Sequence, residues 1–373
     1  MNRFYTILLS LFLALTLQAQ EVQKDNTTEA SLPTDVYAYY VVVTPGEKMS
    51  AILGHAAVRM SCPSQGLDYC FTIKTPEIKD EAIDMLFGRL RIGVVPEETE
   101  MFRQDYIKDG RGITEYRLNL TLDETRQLWQ MLDEQVARGL YMNLDYVNNS
   151  CTQVSFENIY ELLRVHSGMN IDQVIREAIP VKTRREAVLN YFDQSTWWGF
   201  LLHSCYSFYP DEEVSPRRLV VMPQDAAKVL MKAGVVAEET TVSSQQTTDN
   251  GQRTTGGWFT PLVASILFLL LCLLPIKQVD YVAVPLWGVL LLLFVALSIF
   301  AGSAGIGFNW LILALFPLTA PIGIIYMLFH MGDIYSLSQL LVVLAFFARA
   351  LYIFHRNKEK LTININLKKQ KDL

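Results

Sequence analysis

Charged residues almost vanish between Trp258 and Phe354, and in their place stand four apolar runs: Phe259–Ile276, Tyr281–Phe300, Phe308–Phe329 and Leu337–Phe354. Each holds about 18–22 residues, enough for roughly 30 Å of hydrocarbon. A soluble core has no use for four such runs in succession. Residues 258–355 are therefore expected to form an α-helical transmembrane bundle, the one fold element that satisfies its own backbone in lipid. The tail at 356–373 holds six Lys/Arg from Arg356 to Lys371, which the positive-inside rule keeps cytoplasmic. An exported front domain followed by four spans would instead leave that tail outside. One segment is then re-entrant, and Phe308–Phe329, broken by Pro317 and Pro321, is the one to suspect. Asn309, Asp333 and Arg349 are polar groups at or near membrane depth, where such residues are costly and often functional. Loop positions are the plainer explanation for Asn309 and Asp333.

The front of the chain reads differently. Residues 1–20 have the form of a signal peptide: Arg3, the apolar run Tyr5–Leu17, then small and polar residues around Ala19. An uncleaved signal anchor is the alternative, and either one translocates the domain behind it. Residues 30–236 mix charged and apolar residues as a soluble domain does. The net charge of −6 and the lack of a basic stripe argue against a nucleic-acid partner. Five cysteines are present, Cys62, Cys70, Cys151, Cys205 and Cys272; in an exported domain Cys62 and Cys70 are a candidate disulfide across a turn. With no CxxC or HExxH, neither a metal nor another cofactor is expected.

Val36–Val43 is a β-branched and aromatic run stopped by Pro45-Gly46, and reads as a buried strand. His55–Met60 and Leu67–Ile73 read as two strands around the loop Ser61–Gly66, and Ile113–Leu120 as another. Thr121 and Glu124 form a capping-box pattern, followed by Leu128, Leu132 and Val136 at helical spacing and Gly139 as a stop. A helix is expected from Cys151 through Leu163, capped by Ser150 or Asn149. Shorter helices are expected near Asp172–Ala178 and Arg184–Phe192. Residues 237–257, rich in Glu, Thr, Ser, Gln and Gly, read as a flexible linker with a reach of about 25 Å.

Two residues invite chemistry. A cysteine at a helix N-terminus gains from the positive end of the dipole, which favours thiolate. A histidine on a neighbouring strand supplies a base and then an acid. Cys151 is the candidate nucleophile and His55 the candidate base; the ordinary readings are an inert buried thiol and a packing histidine. A third group should orient the imidazole. Register counting places Thr72 opposite His55, with Asp68 nearer the turn; Asp68 carries the better charge, Thr72 the better place. Tyr146, Asn148 and Thr152 flank Cys151 and are candidates for shaping a substrate pocket, although capping and turn duties explain them as well. Trp197, Trp198 and Tyr206 sit in an aromatic stretch and are candidates for the lipid headgroup level, against the plainer reading of core filling. His166 and His203 are spare histidines, His166 being expected at the C-terminal end of the Cys151 helix.

The stretch LGHAAVRMSCPSQGLDYCFTI, followed about a hundred residues later by YMNLDYVNNSCTQVSFENIYELL, resembles the Lnb N-terminal periplasmic domain family, an exported domain associated with lipoprotein N-acylation. The resemblance spans roughly residues 36–235, including Asp211 and the VVMPQDAAKVL segment, and the C-terminal spans are similar to those of Bacteroidota-type members. The chain departs from the family pattern in Ser150 before the cysteine, Gln153 after Cys-Thr, and Thr72-Ile73-Lys74 late in the second strand. The resemblance implies an α+β fold: a permuted papain-like (NlpC-type) exported domain followed by an α-helical transmembrane bundle. It implies a multi-pass protein of the bacterial inner membrane with a periplasmic catalytic domain. It implies, too, a thiol acyltransferase that moves an acyl chain from a phospholipid donor, through a Cys151 thioester, to the α-amine of a diacylglyceryl lipoprotein acceptor. A membrane-anchored cysteine peptidase or amidase acting on cell-wall peptide would use the same dyad. A non-catalytic envelope receptor or scaffold would use neither residue.

Overall fold

The computed structural model describes residues 33–46, 51, 53–74, 89–139, 142–144, 149–165, 168–189, 197–205, 213–244, 260–300, 309–316, 319–329 and 334–371. The signal-peptide segment, Tyr146, Asn148, His166, Tyr206, Asp333 and linker residues 245–257 lie outside the described residues.

Seven antiparallel strands form one sheet in the order β6-β4-β3-β2-β1-β5-β7. They are β1 Tyr37–Val43, β2 His55–Cys62, β3 Leu67–Lys74, β4 Arg91–Glu98, β5 Ile113–Leu118, β6 Met142–Asn143 and β7 Val236–Ser243. The near-continuous apolar sequence of β1 is explained by its place between β2 and β5, covered on both faces. Tyr40 and Val42 join a cluster with Val58, Ile159 and Leu230. Val41 and Val43 join another with Ala57 and Phe102. Alternation along a strand sends neighbours to opposite faces, so a two-sided apolar strand is a central one.

The first face is covered by helices α2 Leu122–Ala137, α3 Cys151–Val165, α4 Ile171–Ala178 and α7 Pro223–Lys232; α1 Thr99–Lys108 covers the second. Two further helices are α5 Arg184–Leu189 and α6 Trp197–Cys205. The capping box that opens α2 is complete: Thr121 accepts from the Glu124 amide and Glu124 reaches back to the Thr121 amide.

Two expectations are corrected and one unread segment is filled. The linker does not begin at 237: Val236–Ser243 pairs with β5 as an edge strand, because Val, Thr, Thr and Val supply enough β-branched residues to extend an open sheet. Cys62 and Cys70 are free thiols; on the paired strands Cys70 stands opposite Arg59 and Cys62 opposite Leu67, so the two never face each other. Strand β4 and helix α1 occupy a segment for which the sequence supplied no reading. Pro96 in β4 sits where that strand has no partner on its outer side among the described residues, since β6 pairs there with Arg91 and Ile92, and an edge accepts a residue without an N–H.

The C-terminal part folds as helices α8 Pro261–Leu273, α9 Asp280–Phe300, α10 Trp310–Leu315, α11 Ala320–Phe329 and α12 Ile334–Lys371. Among the described residues two stretches are long and apolar enough to cross a membrane, Lys277–Ile299 with mean hydropathy 2.6 and Tyr335–Lys358 with 2.0. Of the four expected spans, Phe259–Ile276 is represented by the shorter α8, and Phe308–Phe329 is split into α10 and α11. The apolar side chains of α9 face outward, Leu292 being 73% exposed. A soluble core helix would hide them; a lipid-facing one does not. Arg349 is buried and structural: its guanidinium bonds Asp280 and the Leu274 and Ile276 carbonyls, closing the turn between α8 and α9. Asn309 caps α10 and donates to the Ser204 carbonyl at 2.7 Å. His203 rests between Ser336 and Gln339 of α12. Through these contacts α6, from the front domain, is seated on the bundle.

Candidate active site

The site is built where β1 ends and β2 begins. Gly54, at φ +82°, makes that turn, and a Cβ there would stand 2.8 Å from the Val43 carbonyl oxygen. No other residue adopts this conformation without strain in so close an approach. The next residue is His55.

Alternation turns His55 toward α1, where its ring stacks on Tyr106 at 5.6 Å and tilts against Phe102 at 6.4 Å. Its Nε2 lies 2.6 Å from Thr72 Oγ1. Thr72 stands opposite Ala57, one diagonal step along the ladder from His55, so simple counting misplaced the register by two residues while naming the right neighbour. In the tautomer that donates from Nε2 to Thr72, Nδ1 keeps its lone pair for a proton. Burial, followed by the charges of Arg111 and Lys74, pushes the imidazole pKa down to about 3. The ring is neutral at physiological pH, and neutral is the state a base requires.

Asp68, the other candidate for orienting His55, is engaged elsewhere. Both its oxygens receive Arg59, at 2.7 and 2.6 Å, and Thr99 Oγ1 donates to it at 2.6 Å. Arg59 also bonds Glu115 at 2.7 Å, and Arg103 grips the same Glu115 from α1. Burial opposes ionisation of Asp68, yet the hydrogen bonds from Arg59 and Thr99 hold its carboxyl below the ordinary value. The assignment of Asp68 to the imidazole is therefore corrected: a bidentate guanidinium outcompetes a histidine for the carboxylate.

Cys151 opens α3. Ser150 is the cap: its Oγ accepts the Gln153 amide at 3.3 Å, and Gln153 Oε1 accepts the Ser150 amide at 3.4 Å. The two departures from the family pattern are thus one device, a reciprocal capping pair around the cysteine. Asn149 instead donates to the Asn143 carbonyl. The first turn of α3 is clipped to a single residue of β2: the Ala56 N–H bonds the Cys151 sulfur, and Ser155 Oγ donates to the Ala56 carbonyl at 3.4 Å. The sulfur consequently rests on the peptide that follows His55. α3 and α1 lie on opposite faces of the sheet, so Cys151 meets the start of β2 at Ala56 from one face while the His55 ring lies against α1 on the other. Both are only partly buried.

A helix terminus was expected to favour the thiolate. Burial wins instead and pushes the Cys151 thiol up, against the opposing pull of the Ala56 N–H, Thr152 and Arg111. At rest both the thiol and the imidazole are neutral.

Thr152 is fully buried, its hydroxyl set against the sulfur with no nitrogen or oxygen partner. Trp197 is exposed on α6 and packs edge-on against Phe200; Trp198 belongs to the same helix, and its side chain lies outside the described residues.

Residues 23–189 match the family described as the Lnb N-terminal periplasmic domain. The matched segment contains both the strand opening at His55 and the helix opening at Cys151, and ends before α6. No curated protein and no solved structure gives a match. Together with the two membrane-length helices, an Lnb-type domain fits a membrane protein with a periplasmic domain.

Within the matched segment the motifs did not announce Arg111, Tyr106 or Tyr40. Arg111 is 5% exposed, bonds the Thr44 carbonyl at 2.7 Å and lies over the Tyr106 ring at 4.7 Å. Tyr40 is fully buried, and a charge on Cys151 raises its hydroxyl pKa further after burial has done so. The one signal that was available was an arginine in the turn Asp109–Gly112 just ahead of a strand, and that is a weak signal.

Proposed function

We propose that the protein is a membrane-anchored thiol acyltransferase that N-acylates bacterial lipoproteins. The observation that carries the reading is the clip between α3 and β2, which sets the Cys151 sulfur on the peptide following His55, while Thr72 orients the imidazole from behind. His55 takes the thiol proton, the sulfur attacks a phospholipid ester carbonyl, and the glycerol oxygen leaves with that proton. The resulting thioester is attacked by the free α-amine of a diacylglyceryl cysteine, which releases the thiol. Both substrates are lipids, and the outward-facing apolar helices give the domain its place beside them. An antiparallel sheet with a strand-borne histidine and a helix-borne cysteine supports a permuted papain-like kinship for the fold.

Incubating the full chain with phospholipid vesicles and mapping the Cys151 peptide by mass spectrometry tests this. An acyl group of lipid length on Cys151, absent in His55→Ala, is expected. A sulfur that stays bare, or lipoproteins whose N-acylation is unchanged in a deletion strain, would sink the transferase. A peptide adduct instead would point to the peptidase.

A further inference from the structure

Two buried polar atoms whose groups feel the charge of Cys151, Arg111 Nη2 and Tyr40 Oη, have no hydrogen-bond partner among the described residues. A buried donor left unmatched costs about 1–3 kcal/mol, and more when charged. Two such groups near one thiol amount to a preformed demand for an oxygen ligand. Arg111 is also fixed in place. Its Nε is spent on the Thr44 carbonyl, its plane lies over Tyr106, and Tyr106 stacks on His55. The guanidinium therefore shares one stack with the proposed base, and its Nη2 keeps an unmatched N–H.

We infer that Arg111 supplies the oxyanion-binding group of the Cys151 reaction, with the Tyr40 hydroxyl as a second donor. The inference rests on the thiol chemistry proposed above, but not on the identity of the lipid substrates. When the Cys151 sulfur forms a bond to an ester carbonyl carbon, the thiol proton goes to His55 and the carbonyl π electrons move to oxygen. The alkoxide so formed takes the free Arg111 N–H and the Tyr40 O–H. Collapse restores the carbonyl, breaks the ester C–O bond and returns the proton from the imidazolium to the leaving oxygen. A fixed donor in a site partly closed to water stabilises such an oxygen without reorganising. The same cation disfavours a resting imidazolium, so the base is kept neutral until the proton arrives.

The test separates a step that develops an oxyanion from one that does not. The full chain in detergent is acylated with p-nitrophenyl butyrate, following the nitrophenolate burst, and in parallel alkylated at Cys151 with iodoacetamide. Arg111→Gln is expected to slow acylation about 100-fold or more while alkylation falls by less than about tenfold. Arg111→Lys should recover part of the loss. Equal losses in both reactions, or an unaltered burst, would overturn the assignment. Should Arg111→Gln fail to fold, Tyr40→Phe decides: a burst slowed about tenfold with normal alkylation supports the oxyanion site, and no change removes it. A wild-type chain that alkylates at Cys151 but gives no burst would count against the thiol chemistry itself.

Discussion

Helix α1 covers two polar clusters, one toward each end, and they are opposites. Toward its N-terminal end Arg59, Asp68, Thr99, Arg103 and Glu115 form a closed set in which each charge meets its counterpart at 2.6–2.9 Å. Toward its C-terminal end Tyr106 and Arg111 stand beside His55, and the Arg111 Nη2 is buried without a partner. The first cluster is complete without any ligand. The second leaves a buried N–H unmatched, as the proposed oxyanion site requires. Polar groups buried in pairs hold a structure; polar groups buried unmatched next to a nucleophile await chemistry.

This contrast can be broken by experiment. Its largest expected effect lies in the closed cluster. Glu115, only 3% exposed and shared by two arginines, leaves those cations unmatched when replaced. Glu115→Ala should cost about 3–5 kcal/mol of stability, read from chemical denaturation of the full chain, with Cys151 alkylation in the folded protein unchanged. A loss below about 1 kcal/mol would show that the network is ornamental. At the open end the expected order is reversed. Thr72→Val should lower acylation about 10–100-fold through a disoriented imidazole with little change in melting temperature, and Thr72→Ser should restore most of it. An inert Thr72→Val would detach that hydroxyl from the mechanism.

A smaller effect is expected in the pH profile. Since burial raises the Cys151 thiol and lowers the His55 imidazole, the thiolate is scarce at neutral pH. Alkylation should climb steadily from about pH 6 to about pH 9 with no plateau between. A rate already level below about pH 7 would reveal a resting ion pair instead. The sign follows from the direction of both shifts: each disfavours the charged form.

Some of this was legible in the residues. The run Tyr37–Val43 announced a central strand because only a strand covered on both faces can be apolar on both. Thr121 with Glu124 marked the start of α2, and Cys151 at a helix start followed from its polar predecessors. The hairpin of β2 and β3 was evident, though the sequence does not set the register to the residue, and Thr72 against Asp68 was decided by which of them Arg59 claimed. Strand β7 was hidden in linker-like composition, since an edge strand needs few apolar residues. Arg111 and Tyr40 carried no motif at all. They are far apart in sequence, in the turn before β5 and in β1, and only the fold brings both within the electrostatic influence of Cys151.

The chain by itself determined the division between a globular part and an apolar, lipid-fitted part, because hydrocarbon tolerates so few charges, and it singled out Cys151 and His55 as candidates. Only the tertiary structure decided which groups surround them, and that the pair rests neutral. Desolvation and partner choice depend on what is packed nearby, and no local sequence pattern encodes them.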